Sequence, residues 1–256
     1  VTDNHIINIR ESVRLISIIA LSLLGVCLQN SQLTVLSAWW AFVLLILGNV
    51  RRLSHVRKAT YFIRMTLYFF PYALPVFFAG KSFFSINIKM LYSCAAIILF
   101  FALWILFRQK SLKLLLSKQL IAESTKESRF VIILRIYNLI GAAICEELFF
   151  RQYILTIDSN ILILGAVSIV YFVLSHWLLP WGQRFAKNDL INQAAFGGMN
   201  VLIFIYSGSI IPCVVLHMLM NSINIIRLIK IYDRHYIRKE KFDKLIHSDV
   251  YSELDL

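Results

Sequence analysis

The sequence predicts an all-α protein, a multi-pass transmembrane helical bundle of about eight spans, and three observations carry that reading. Hydrophobic residues make up 59% of the 256 and charged residues only 16%, with a mean hydropathy of +0.72. A soluble domain of this length cannot hide so much apolar surface, because its exterior has to be wettable. The apolar residues come in runs of about 20, the length that crosses ~30 Å of hydrocarbon. The cations then collect between alternate runs. One side receives Arg10 and Arg14, then Arg51, Arg52, Arg57 and Lys58, then six more from Arg108 to Arg129, then Arg184, Lys187 and the C-terminal tail. The other side receives only Lys81 and Lys89. By the positive-inside rule both termini are cytoplasmic.

The eight runs are Val13–Gln29, Leu33–Val50, Tyr61–Gly80, Met90–Phe107, Phe130–Ile157, Ile161–Leu179, Leu190–Tyr206 and Pro212–Tyr232. The first could pass for a signal peptide, but Val26 before Cys27 is too large for a lipoprotein cleavage site and more spans follow, so a retained helix is expected. The third holds Pro71 and Pro75, a kink tolerated inside a bundle. Ser111–Ala122 reads as a short amphipathic helix on the inner surface. The fifth is too long for one straight crossing, about 42 Å at 1.5 Å per residue, so a break near Gly141 is expected. The chain divides into residues 1–129, N-terminal helices with the inner-surface segment; 130–232, a helical core; and 233–256, a cytoplasmic tail.

The net charge of +12 would suggest nucleic acid in a soluble protein. Here the cations sit where membrane topology puts them, and the basic stretches lack interleaved base-stacking aromatics, so no nucleic-acid partner is expected. Cys27, Cys94, Cys145 and Cys213 all fall in apolar runs without CxxC pairing, which fits packing rather than disulfides or metal.

The chemistry emerges when ionisable residues are sorted by location. Of the 14 acidic residues, only Glu146 and Glu147 interrupt an apolar run; of the six histidines, only His176 and His217 do. Such groups cost several kcal/mol at membrane depth and therefore tend to have a function. Glu147 and Arg151 are i,i+4 on one helix face, while Glu146 points about 100° away. Phe172 shares a face with His176, and His217 shares one with Asn221, with Asn224 a turn further on. Each piece also has a packing explanation: an ion pair for Glu147–Arg151, a hydrogen-bonded core histidine for His176, interhelical polar glue for His217 and Asn221, plain packing for Phe172. These explanations weaken together, because Glu146 is left without a partner on its own helix. Straight helices would also put Glu146 and His217 toward the outer side and His176 toward the inner.

The order E-E-x-x-x-R (Glu146, Glu147, Arg151), F-x-x-x-H (Phe172, His176) and H-x-x-x-N (His217, Asn221) resembles the type II CAAX prenyl endopeptidases. It is shared by their bacterial relatives, the CPBP group of Abi-type intramembrane proteases, associated with bacteriocin processing and self-immunity. Ser207-Gly208-Ser209-Ile210 is similar to that family's T-G-S-I stretch. Ala143 and Gln152 stand where many relatives have Pro and Gly, marking a divergent branch. The resemblance spans roughly Phe130 to Tyr232.

The resemblance implies an intramembrane endopeptidase. Glu146 would be the base, His176 would help position and deprotonate the water, and His217 and Asn221 would stabilise the oxyanion. Arg151 would hold the glutamates ionised, with Glu147 as its structural partner. No cofactor is expected, since no H-E-x-x-H is present; the alternative is zinc held by Glu146, His176 and His217. The expected partners are the lipid bilayer and a membrane-associated peptide or protein substrate. The Ile-, Lys- and Phe-rich composition hints at an AT-rich genome and a bacterial cell membrane, with a pheromone, a bacteriocin precursor or a membrane protein as substrate. The competing readings are a non-catalytic immunity or scaffold protein and a proton-relay transporter. The latter predicts paired, broken halves, and none are visible.

Overall fold

The computed structural model describes residues 2–53, 57–78, 85–157, 160–178 and 187–238. Ser54, Lys81, Asp158, Arg184 and residues 239–256 of the expected tail lie outside the described residues. Among those described the chain is helical, with no strand. The α-helices are α1 (Thr2–Cys27), α2 (Ser31–Asn49), α3 (Lys58–Leu67), α4 (Phe70–Phe78), α5 (Ile88–Leu115), α6 (Lys118–Ala122), α7 (Arg129–Glu147), α8 (Ile161–Leu178), α9 (Lys187–Ser207) and α10 (Ile211–Tyr232).

Local sequence sets the starts. Asn30, Asn87, Ser117 and Ser128 each cap a helix, their side-chain oxygens accepting from Leu33, Met90, Leu120 and Val131 backbone N–H groups. The α9–α10 turn passes through Gly208 at φ +62°, a conformation in which a Cβ is strained. Asn87 at the start of α5 donates to Ser207 O at 2.7 Å, tying that turn to α5.

Three boundaries differ from the sequence expectation. The third run breaks at Tyr68–Phe69, ahead of Pro71, giving two short helices. The fifth run does not break at Gly141: α7 is continuous to Glu147, and the change comes at Leu148, where the chain widens into π turns through Tyr153 and tightens into a 3-10 turn at Ile154–Thr156. Gly141 has a different task. A Cβ there would stand 2.4 Å from the Phe69 ring, so the glycine lets the α3–α4 corner press against α7. The surface segment Ser111–Ala122 is not one helix either, because α5 runs on to Leu115 and Ser117 restarts the chain as α6.

Among the described residues four helical stretches are long and apolar enough to cross a membrane: Ser31–Asn49, Ile88–Leu115, Asp189–Ser207 and Ile211–Ile237. Leu15–Cys27 and Ile161–Trp177 are shorter apolar helices. The other runs fall short for physical reasons: α3 and α4 are cut in two, and α7 carries Arg129, Arg135, Glu146 and Glu147. The outside of the bundle is apolar, with Leu91, Ile98, Leu99, Leu106 and Phe107 of α5 all well exposed. An apolar face of that extent suits lipid rather than water.

The core lies around the π turns. Trp40 of α2 is fully buried and stacks on Tyr171 at 4.6 Å, with Phe149 and Phe150 on its other sides. Ser168 Oγ donates to Phe150 O at 2.6 Å, tying α8 to this segment.

Candidate active site

Glu147 and Arg151 are both fully buried. Arg151 Nη1 donates to Glu147 Oε1 at 3.2 Å, and Nε lies 3.1 Å from Oε2, an ion-pair contact off the line of a hydrogen bond. Glu147 Oε1 also takes a bond from His217 Nδ1 at 2.8 Å and from Asn200 Nδ2 at 3.2 Å. The carboxylate thus joins the π segment, α9 and α10 at one point. Arg151 completes its shell with Gly197 O at 3.4 Å and the face of Phe172 at 4.6 Å.

Glu146 diverges from its neighbour as the helix geometry requires. Its Oε2 lies 3.7 Å from His176 Nε2, and the two side chains are 12% and 19% exposed. His176 Nδ1 is 2.9 Å from Phe172 O. A carbonyl only accepts, so Nδ1 carries the proton and Nε2 of the neutral ring presents a lone pair. Two acceptors therefore face each other, too far apart for a direct bond, and Oε2 is buried without a hydrogen-bond partner.

His217 spends Nδ1 on the bond to Glu147, so Nε2 is the ring nitrogen left for the cleft that His217 lines. That cleft encloses about 510 Å³ between the C-terminal half of α5 and the facing sides of α9 and α10. His176, His217, Asn221 and Asn224 line it, with Asn192, Gln193 and Phe196 of α9 opposite. Glu146 is not itself among the lining residues and reaches the cleft at His176. Asn221 Nδ2 donates to Leu139 O at 2.9 Å, which leaves its second amide hydrogen unspoken for by that bond. Phe172 packs between Arg151, His176 and His217, its ring 4.6 Å from the first imidazole and 6.1 Å from the second.

The depth conflict expected from straight helices does not arise, since His176 meets Glu146 and His217 meets Glu147. Among the described residues no three His, Cys, Asp or Glu side chains converge closely enough to hold a metal ion. The bond to Glu147 occupies His217 Nδ1 and leaves its Nε2 free, while His176 Nε2 faces Glu146.

Residues 128–223 match a family model. It is the one described as type II CAAX prenyl endopeptidase Rce1-like, a protease family. The comparisons with curated proteins and with solved structures gave no match. The Rce1-like stretch begins at Ser128, the cap of α7, and ends two residues past Asn221. It holds Glu146, Glu147, Arg151, Phe172, His176, Asn200, His217 and Asn221, while Asn224 and the α5 side of the cleft lie outside it. With its apolar helices, this is the profile of a helical integral membrane protein.

Asn200, buried on α9 beside Glu147, has no counterpart in the sequence reading. The sequence does carry a signal for it: an amide inside Gly198-Met199-Asn200-Val201-Leu202 is costly in an apolar helix for the same reason a carboxylate is. Asp189, assigned to a loop by its sequence position, stands in the first turn of α9 and pairs with Arg108 of α5 at 3.2 Å on the cleft edge.

Proposed function

We propose that this chain is an intramembrane endopeptidase that hydrolyses a peptide bond in a membrane-associated peptide or protein. The observation that supports it most is the pair of acceptors, Glu146 Oε2 and His176 Nε2, facing one another 3.7 Å apart. A water beside the pair, about 2.8 Å from each acceptor, would give one proton to each and keep a lone pair for a carbonyl carbon; Oε2 is covered in this structure, so that water enters only with a small shift of its surroundings. As that oxygen bonds to the carbon, Glu146 takes the proton and the carbonyl electrons move onto oxygen. His217, protonated at Nε2 and held by Glu147 at Nδ1, donates to the oxyanion together with the second N–H of Asn221. Collapse of the tetrahedral intermediate expels the amine, which takes its proton from Glu146. No step passes through a metal.

The finer topology belongs to the same proposal. Eight crossings with both termini inside follow from the cation asymmetry. In a background lacking the native cysteines, a cysteine at Ser85 is expected to label with an impermeant reagent in intact cells and one at Ser117 to resist it. The reverse pattern contradicts this orientation. A bacterial cell membrane is the expected location, with peptide maturation or bacteriocin self-immunity as the host role.

The proposal is tested by reconstituting the purified chain with candidate membrane-associated precursors and following cleavage by mass spectrometry. Parental protein should cut at a defined bond, and His176→Ala and His217→Ala should not. A host phenotype that persists unchanged in both variants would favour a non-catalytic immunity or scaffold role.

A further inference from the structure

Beside the cleft, at the basic end of the bundle, lies a second pocket of about 300 Å³, lined by Leu116, Lys118, Ile121, Lys230, Asp233 and Arg234. It forms where the turn after α5 and the short α6 meet the C-terminal end of α10 and the π turns of Asp233–Arg238. An apolar cluster of Ile121, Ile132, Leu228 and Ile231 holds α6 against α7 and α10, so the corner is built rather than incidental.

Its charge is uneven, three cations against one carboxylate. Nearby cations are matched, Arg108 to Asp189 and Arg135 to Glu127. Among the described residues Lys118, Lys230 and Arg234 make no ion pair. Cations gathered round a cavity repel one another, and an anion placed between them relieves that cost. Lys126 and Arg129, both over the Tyr236 ring, extend the same basic end.

The surroundings say which anion. The pocket sits where the apolar stretches of α5 and α10 end, Leu116 and Ile121 give it an apolar side, and Leu114, two residues before Leu116, is 67% exposed. A ligand with a phosphate head and acyl chains satisfies both the cations and this greasy border, whereas a free phosphate satisfies only the cations. We propose that this pocket binds the phosphate headgroup of an anionic phospholipid.

The test reads binding, not cleavage, and so stands apart from the peptidase proposal. The full chain is placed in nanodiscs of phosphatidylcholine doped with phosphatidylglycerol, and lipid retained through detergent washing is counted by native mass spectrometry. Phosphatidylglycerol should be retained over phosphatidylcholine. Lys230→Gln/Arg234→Gln should weaken retention about 30-fold, at about 5-fold per cation. Lys118→Gln, a change at an exposed side chain with little bearing on folding, should weaken it about 5-fold, and Lys110→Gln/Lys113→Gln outside the pocket should change it little. Parental retention by the Lys230/Arg234 variant and by Lys118→Gln overturns the proposal, as does equal retention of phosphatidylcholine. Inorganic phosphate that displaces phosphatidylglycerol at comparable concentration overturns the lipid as the source of the phosphate.

Discussion

Replacing Glu147 with Gln removes one negative charge from a fully buried carboxylate and barely changes its shape. Its Oε1 receives three donors, from Arg151 at 3.2 Å, His217 at 2.8 Å and Asn200 at 3.2 Å, and Oε2 sits 3.1 Å from Arg151 Nε. After the change Arg151 has no counter-charge and keeps only neutral partners, the Gln amide oxygen, Gly197 O at 3.4 Å and the faces of Phe150, Phe172 and Phe196. An ion left unpaired in a dry site costs about 3–5 kcal/mol. The Phe172 contact is present before and after and offsets none of it. At ~2–4 °C per kcal/mol for a chain of this size, thermal unfolding in a fixed detergent should begin roughly 6–20 °C lower. Removing the orphaned charge as well, in Glu147→Gln/Arg151→Met, should recover about half of that loss, because the two changes share one interaction. A melting point within about 2 °C of the parent for Glu147→Gln would refute the claim that this carboxylate holds three helical segments together.

Other expectations follow from single contacts. Gly141→Val should destabilise by about 1–3 kcal/mol, since its first carbon would already press on the buried Phe69 ring; unchanged melting would mean the α3–α4 corner can yield. Asn221→Ala should slow cleavage by ~100-fold or more if its free N–H meets the oxyanion, with melting lowered by no more than the lost bond to Leu139 O; an unchanged rate assigns it to packing alone. Prolonged chelator treatment should leave cleavage intact, and stoichiometric zinc lost together with activity would contradict the metal-free route.

How far the sequence reached is clearest on α7. The periodicity there puts Glu147 on Arg151 and turns Glu146 away, and the side chains do so. That much is local geometry: residues four apart share a face, and the pair still meets although Arg151 falls in the π turns. What could not be read was the change to π turns at Leu148, because nothing in Leu148-Phe149-Phe150 breaks a helix; packing against Trp40 and the bond from Ser168 accompany it. Gly141 is a point of close approach rather than a breaker, a distinction that depends on a partner 72 residues away in the chain. The His217–Glu147 bond likewise joins residues 70 apart. Spacing alone offered Glu147 only Arg151, and the fold adds His217 and Asn200. The short α6 was hidden because Ser111–Ala122 carries one amphipathic pattern across two elements, and only the Ser117 cap separates them.

The central claim rests on Glu146 as the base. Glu146→Gln keeps the size of the side chain and its ability to hydrogen-bond, and it leaves the buried Glu147–Arg151–His217 network untouched. The decisive measurement is the single-turnover cleavage rate of reconstituted Glu146→Gln beside its melting point. The account predicts a rate at least ~100-fold below the parent with melting nearly unchanged. Cleavage of the same bond at the parental rate would contradict it.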